Sequence, residues 1–154
     1  QESITDVVNV GVPVFPIGRL DRSSRGLIIL TNDGRITDQL LNPKYEHEKE
    51  YVVKVDKTLE KHFLRHLGTG IDIEIKGHMT KPATVKQINE TRFRITLIEG
   101  KKHQIRRMCA AFGYVVTDLQ RVRIMNIKLH NLKEGEFRPI EDRELEDFLK
   151  SLGL

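Results

Sequence analysis

Cysteine is nearly absent: Cys109 is the single one in 154 residues. No internal disulfide can form, which fits a reducing compartment. Long apolar runs are also missing. The longest, Met108 to Phe112, is far too short to cross a bilayer. No secretory leader pattern, internal repeat, low-complexity stretch or Gly/Ser linker is visible. A soluble cytoplasmic piece, expected to be monomeric, is the reading that remains. The chain opens on Gln1 rather than Met, so a fragment of something longer is expected.

Several chemistries also lack their residues. His62 and His66 have the i, i+4 spacing of zinc helices, but Phe63, Leu64 and Arg65 lie between them, with no Glu. Glu46-His47-Glu48 is ligand-rich but local. No metal is expected. There is no phosphate-binding glycine loop, nucleophile elbow or Cys–His pair. No cofactor is expected either.

What is present suits one domain with a real core. Lys and Arg total 26 against 22 Asp and Glu, a formal net charge of +4. That balance permits a nucleic-acid partner without requiring one. The apolar pattern predicts a short helix over 3–9 and a strand over 14–16. Leu27-Ile28-Ile29-Leu30 predicts a strand covered on both faces. Helices are expected at 35–41, 59–67, 103–112 and 143–150. Tyr51, Val53 and Val55 share one face of a strand. A hairpin joins 84–88 to 92–98, and 115–129 holds one or two more strands. The sum is an α+β domain around a largely antiparallel mixed sheet, flanked by short helices and loops.

Four constellations could carry chemistry. Gly18-Arg19-Leu20-Asp21, with Ser23, Ser24 and Gly26 after it, sets a carboxylate in a polar loop before a buried strand. A turn aspartate bonding local amides is the plainer alternative. Lys101-Lys102-His103-Gln104-Ile105-Arg106-Arg107 crowds cations at a helix start, against the macrodipole. On that helix Arg106 lies about 110° from the centre of the apolar stripe and Arg107 about 150°. Arg106 is therefore expected to meet a partly buried carboxylate, and Arg107 to face water and phosphate. A solvated helix end is the alternative. Tyr51 could present its ring to a base or simply pack in the core. Arg121 and Arg123, one side of a strand by period 2, are expected to extend a basic surface with Arg92 and Arg94.

Gly18-Arg19-Leu20-Asp21 through Gly26-Leu27 to Thr31-Asn32-Asp33-Gly34 resembles the signature of RNA pseudouridine synthases. Lys49-Glu50-Tyr51 and Glu99-Gly100 through Gln104-Ile105-Arg106-Arg107-Met108 resemble that family's second and third motifs, in order. Arg121 to Ile127 and Gly135-Glu136-Phe137-Arg138 also fit, so the resemblance covers nearly the whole chain. It is strongest to the bacterial ribosomal RNA branch. The Arg107-Met108-Cys109 and Arg123-Ile124-Met125-Asn126 stretches look most like enzymes acting on 23S rRNA. One departure is Lys102-His103, where that branch commonly has Asn-Arg; His before Gln-Ile-Arg is more typical of a sister branch.

The resemblance implies the pseudouridine synthase fold and conversion of a uridine in RNA to pseudouridine without a cofactor. Residues 1–154 would be the catalytic domain, the small RNA-binding domain that usually precedes it being absent. Asp21 would be the essential carboxylate, either attacking C1′ or removing the 2′ proton. Arg106 would be its ion-pair partner, and Tyr51 would stack on the uracil. Arg19 would fill the space left by the extruded base. Lys101, Lys102, His103, Arg107, Arg121 and Arg123 would bind RNA. Ribosomal RNA is the expected partner, with a tRNA enzyme or a non-catalytic rRNA-binding module as alternatives.

Overall fold

The computed structural model describes residues 14–18, 20–73 and 79–154. The helix expected over 3–9 and the side chain of Arg19 lie outside them.

Strands β1 (Phe15–Ile17) and β3 (Ile29–Thr31) form an antiparallel pair. The remaining strands, β2 (Arg25–Gly26), β4 (Lys49–Val55), β5 (Thr84–Gln87), β6 (Arg92–Leu97), β7 (Val116–Ile124) and β8 (Ile127–Lys128), make one mixed sheet. Its order is β2-β7-β4-β6-β5, with β8 paired to β7. Only the β2–β7 pair is parallel among these; the other pairs are antiparallel. Among the described residues, four helices flank the strands: α1 (Gly34–Leu41), α2 (Lys61–Thr69), α3 (Gln104–Ala111) and α4 (Asp142–Ser151). The α+β class and the mixed sheet agree with the sequence pattern.

Two apolar clusters divide the described residues. Alternation along β4 and β6 buries Val53, Val55, Phe93, Ile95 and Leu97. Phe63 and Leu67 of α2 and Ile105, Met108 and Cys109 of α3 close this first cluster. The second joins Ile17, Leu27 and Ile29 to Ile36 and Leu40 of α1, to Phe148 of α4 and to Leu152 just after it. Here the sequence expectation needs correction. The 27–30 run is not a strand buried on both faces. Leu27 and Ile29 are buried, whereas Ile28 and Leu30 are only half-covered. Its strand, β3, begins at Ile29 and pairs with β1 alone, and the helices of the second cluster cover one side.

The β4–β7 register has a bulge that matters for the site. Glu50 faces Arg123, but Tyr51 faces Arg121, so Val122 is the extra residue on β7. Neighbours in β4 point to opposite faces, and paired residues point the same way. Arg121 therefore joins Tyr51 on the inner face, and Arg123 joins Glu50 on the outer one.

Candidate active site

A cleft of about 840 Å³ opens between the two clusters. Gly18, Leu20, Asp21 and Ser24 form one wall, and the segment 99–106 forms another. Lys49, Tyr51 and Arg121 line its interior, and Asn42, Pro43 and Tyr45 after α1 line one side.

Asp21 lies in the first wall, held by its own loop. The Ser24 hydroxyl donates to Oδ1 at 2.6 Å, and the Ser23 amide and hydroxyl donate to the same oxygen at 3.2 Å each. His103 Nε2 is 3.8 Å from Oδ2. Burial alone would raise the Asp21 pKa. The two serine hydrogen bonds and the charges of Arg106 and His103 outweigh it, and the carboxyl ends below its ordinary value. The turn geometry weighed as an alternative is thus real, and it keeps the carboxylate ionised at the cleft.

Arg106 reaches this loop differently from the expectation. It makes no ion pair within 4 Å with Asp21. Its Nη2 donates to the Ser23 carbonyl at 2.7 Å, and Nη1 to the Val116 carbonyl at 3.4 Å. Its Nε is buried without a partner. Its charge acts on Asp21 through space while its hydrogen bonds fix the loop backbone. The helix angle placed Arg106 correctly at the core boundary but could not show that a carbonyl would intervene.

Arg121 is corrected more sharply. Far from extending a basic surface, it is 4% exposed. Its Nε donates to the Leu27 carbonyl at 2.8 Å and its Nη2 to the Gly18 carbonyl at 2.6 Å. Leu27 N returns a bond to the Arg121 carbonyl at 2.8 Å. The guanidinium thus ties together both ends of the loop that carries Asp21. Burial pushes its pKa down, and the neighbouring Tyr51 opposes the shift. Arg123 is on the other face, paired with Glu50 at 2.8 Å and Glu48 at 3.2 Å. Arg94 also pairs with Glu50, at 3.5 Å, so no open basic stripe forms there. The period-2 reading failed at the Val122 bulge, which shifts the alternation by one.

Arg107 is not turned to water either. It is half-buried, and donates to the Lys102 carbonyl at 3.2 Å and the Ile73 carbonyl at 3.0 Å. The Ile73 carbonyl, beyond α2, meets that face of α3, which helix periodicity cannot reveal. Lys101, Lys102 and His103 do line the cleft, with Lys102 and His103 exposed. His103 has φ +51°, a left-handed conformation uncommon for a non-glycine residue. Tyr51 borders both the cleft and the first apolar cluster, so its core and site readings coexist.

Three cleft residues were given no role by the sequence reading. Gln104 is buried and ties Glu99 Oε1, at 3.0 Å, to the Lys101 amide, at 3.1 Å, which shapes the basic wall. Lys81 lines the cleft and pairs with Glu46. Lys49 lines it too, two residues before Tyr51 and on the same face. A lysine in phase with Tyr51, Val53 and Val55 was the available signal. Among the described residues, no three His, Cys, Asp or Glu side chains converge as a metal site would require. No described helix is long and apolar enough to cross a membrane.

Comparison with known proteins places this cleft in context. The dual-specificity RNA pseudouridine synthase RluF of Escherichia coli strain K12 is 47% identical over 150 residues, covering 97% of this chain and 51% of the relative. Ribosomal small subunit pseudouridine synthase A of Salmonella typhimurium is 36% identical over 137 residues, covering 88% of this chain and 59% of the relative. The chain spans about half the length of the curated relatives it matches. The crystal structure of a pseudouridylate synthase superposes with a TM-score of 0.87 at 30% identity, covering 97% of this chain and 65% of that one. The RNA pseudouridylate synthase model matches residues 8–111, and the chain belongs to that family.

Proposed function

We propose that this chain is the catalytic part of an enzyme that isomerises a uridine of ribosomal RNA, in the 23S molecule, to pseudouridine. The observation that supports it best is the ionised Asp21 carboxylate, held by Ser23 and Ser24 at the edge of a cleft that Tyr51 and Arg121 line. Asp21 is the catalytic group. It either attacks C1′ or removes the 2′ proton, and both roles need the charged form. Tyr51 stacks on the uracil and assists loss of the C5 proton. Arg106 and Arg121 position the Asp21 loop through its carbonyls.

A paired uridine must first leave its stack, which costs a few kcal/mol. Arg19 fills the vacated space. Lys101, Lys102 and His103 contact the RNA backbone, which positions it without reading sequence. Arg107 shapes this wall through the carbonyls it holds.

The relatives at 47% identity carry two RNA specificities in their name, which favours a second substrate such as tRNA beside rRNA. Pseudouridine mapping of total RNA from cells with and without the gene tests both. Loss of a 23S signal supports the proposal, and loss of a tRNA signal as well supports the dual reading. An unchanged map contradicts the enzyme reading and favours a non-catalytic RNA-binding role.

A further inference from the structure

Breaking the N1–C1′ bond of uridine leaves the bonding pair on N1. The resulting negative charge spreads over the ring to O2 and O4. That anion must persist while the ring turns. C5 then bonds to C1′, its proton leaves, and N1 takes up a proton. A group that binds the ring more strongly as this charge develops lowers the barrier.

Lys49 is placed for that role. It lies on the face of β4 that carries Tyr51 and lines the interior of the cleft, half-buried. Among the described residues no carboxylate pairs with it. Asp21 and Glu99 are the acids lining the cleft. Asp21 is held by the serines, and Glu99 Oε1 accepts from the Lys81 amide and Gln104. The charge acting on Lys49 is instead that of Arg121, another cation, which adds to burial in pushing the ammonium below its ordinary pKa. Arg121 in turn spends its Nε and Nη2 on backbone carbonyls. Two partly desolvated cations without a counter-charge oppose folding. An anion entering the cleft reverses that sign, because Coulomb attraction strengthens where water is excluded.

We propose that Lys49 is a catalytic residue whose ammonium donates to a uracil carbonyl oxygen and stabilises the uracil anion formed as the N1–C1′ bond breaks. This rests on the isomerase reading above.

The test uses the full-length enzyme in single turnover with saturating RNA that carries either uridine or 5-fluorouridine at the target. Consumption of the target nucleoside is the readout. Fluorine makes the departing ring more acidic, so its departure depends less on a cation. Lys49→Met is expected to slow uridine consumption about a hundredfold. It should slow 5-fluorouridine consumption clearly less, and Lys49→Arg should recover part of the uridine rate. RNA affinity should stay within about twofold, since the bound ground state has no ring charge. The Lys49→Met melting temperature should equal or exceed that of wild type, because an unpaired cation is removed. Equal losses on both substrates would overturn the proposal. So would weaker RNA binding at an unchanged saturated rate, which would assign Lys49 to a phosphate, or a melting temperature well below wild type, which would make it structural. Absence of pseudouridine with the wild-type enzyme would instead mark failure of the isomerase reading itself.

Discussion

The shortest hydrogen bond to the Asp21 carboxylate comes from the Ser24 hydroxyl, at 2.6 Å. Burial raises the Asp21 pKa, and the serine bonds lead the effects that lower it below its ordinary value. If ionised Asp21 does the chemistry, Ser24→Ala should raise its pKa and move the acid limb of the pH–rate profile to higher pH. An unmoved limb would contradict this account of the carboxylate. The same depressed pKa contributes stability above the unfolded value, lost as pH falls through the folded one. At this scale the sequence drew attention to Asp21, Tyr51 and Arg106, because each sits in a local motif, and all three line the cleft. It was silent about which atoms Arg106 and Arg121 would hold, since carbonyl partners far along the chain leave no mark in a side-chain pattern.

Between elements, the Asp21 loop depends on β2 lying tightly against β7. Gly26 has φ +117°, and a Cβ there would lie 2.2 Å from the Arg121 carbonyl oxygen. Gly26→Ala should therefore separate β2 from β7 and loosen the loop that Arg121 ties. A lowered unfolding midpoint and reduced turnover are expected; wild-type values for both would show the contact to be dispensable. Phe148 of α4 is fully buried in the second cluster beside Leu27 and Ile29. Phe148→Ala should cost about 3–5 kcal/mol by chemical denaturation. Helices and strands with clear apolar periods were legible within a residue or two, α1 and β6 among them. The Val122 bulge was not. One inserted residue reverses every face that follows, and nothing in the β7 residues alone announces it.

Across the whole molecule, a net charge of +4 understates how the cations are arranged. Arg25, Arg35, Arg94, Arg123 and Arg138 are paired with carboxylates. Lys101, Lys102 and His103 gather on one wall of the cleft. Lys102→Ala should weaken RNA binding and reduce the slope of log affinity against log salt by about 0.7–0.9 if one phosphate contact is lost. A full slope would place the RNA elsewhere. Composition could state the excess of cations but not this partition, which depends on tertiary contacts. The central claim is that Asp21 performs the isomerisation, and one measurement addresses it most directly. Single-turnover pseudouridine formation is followed with Asp21→Asn in the full-length enzyme at saturating ribosomal RNA, after its fold and RNA affinity are checked against wild type. The account predicts normal binding and no pseudouridine. A rate near that of wild type would contradict it.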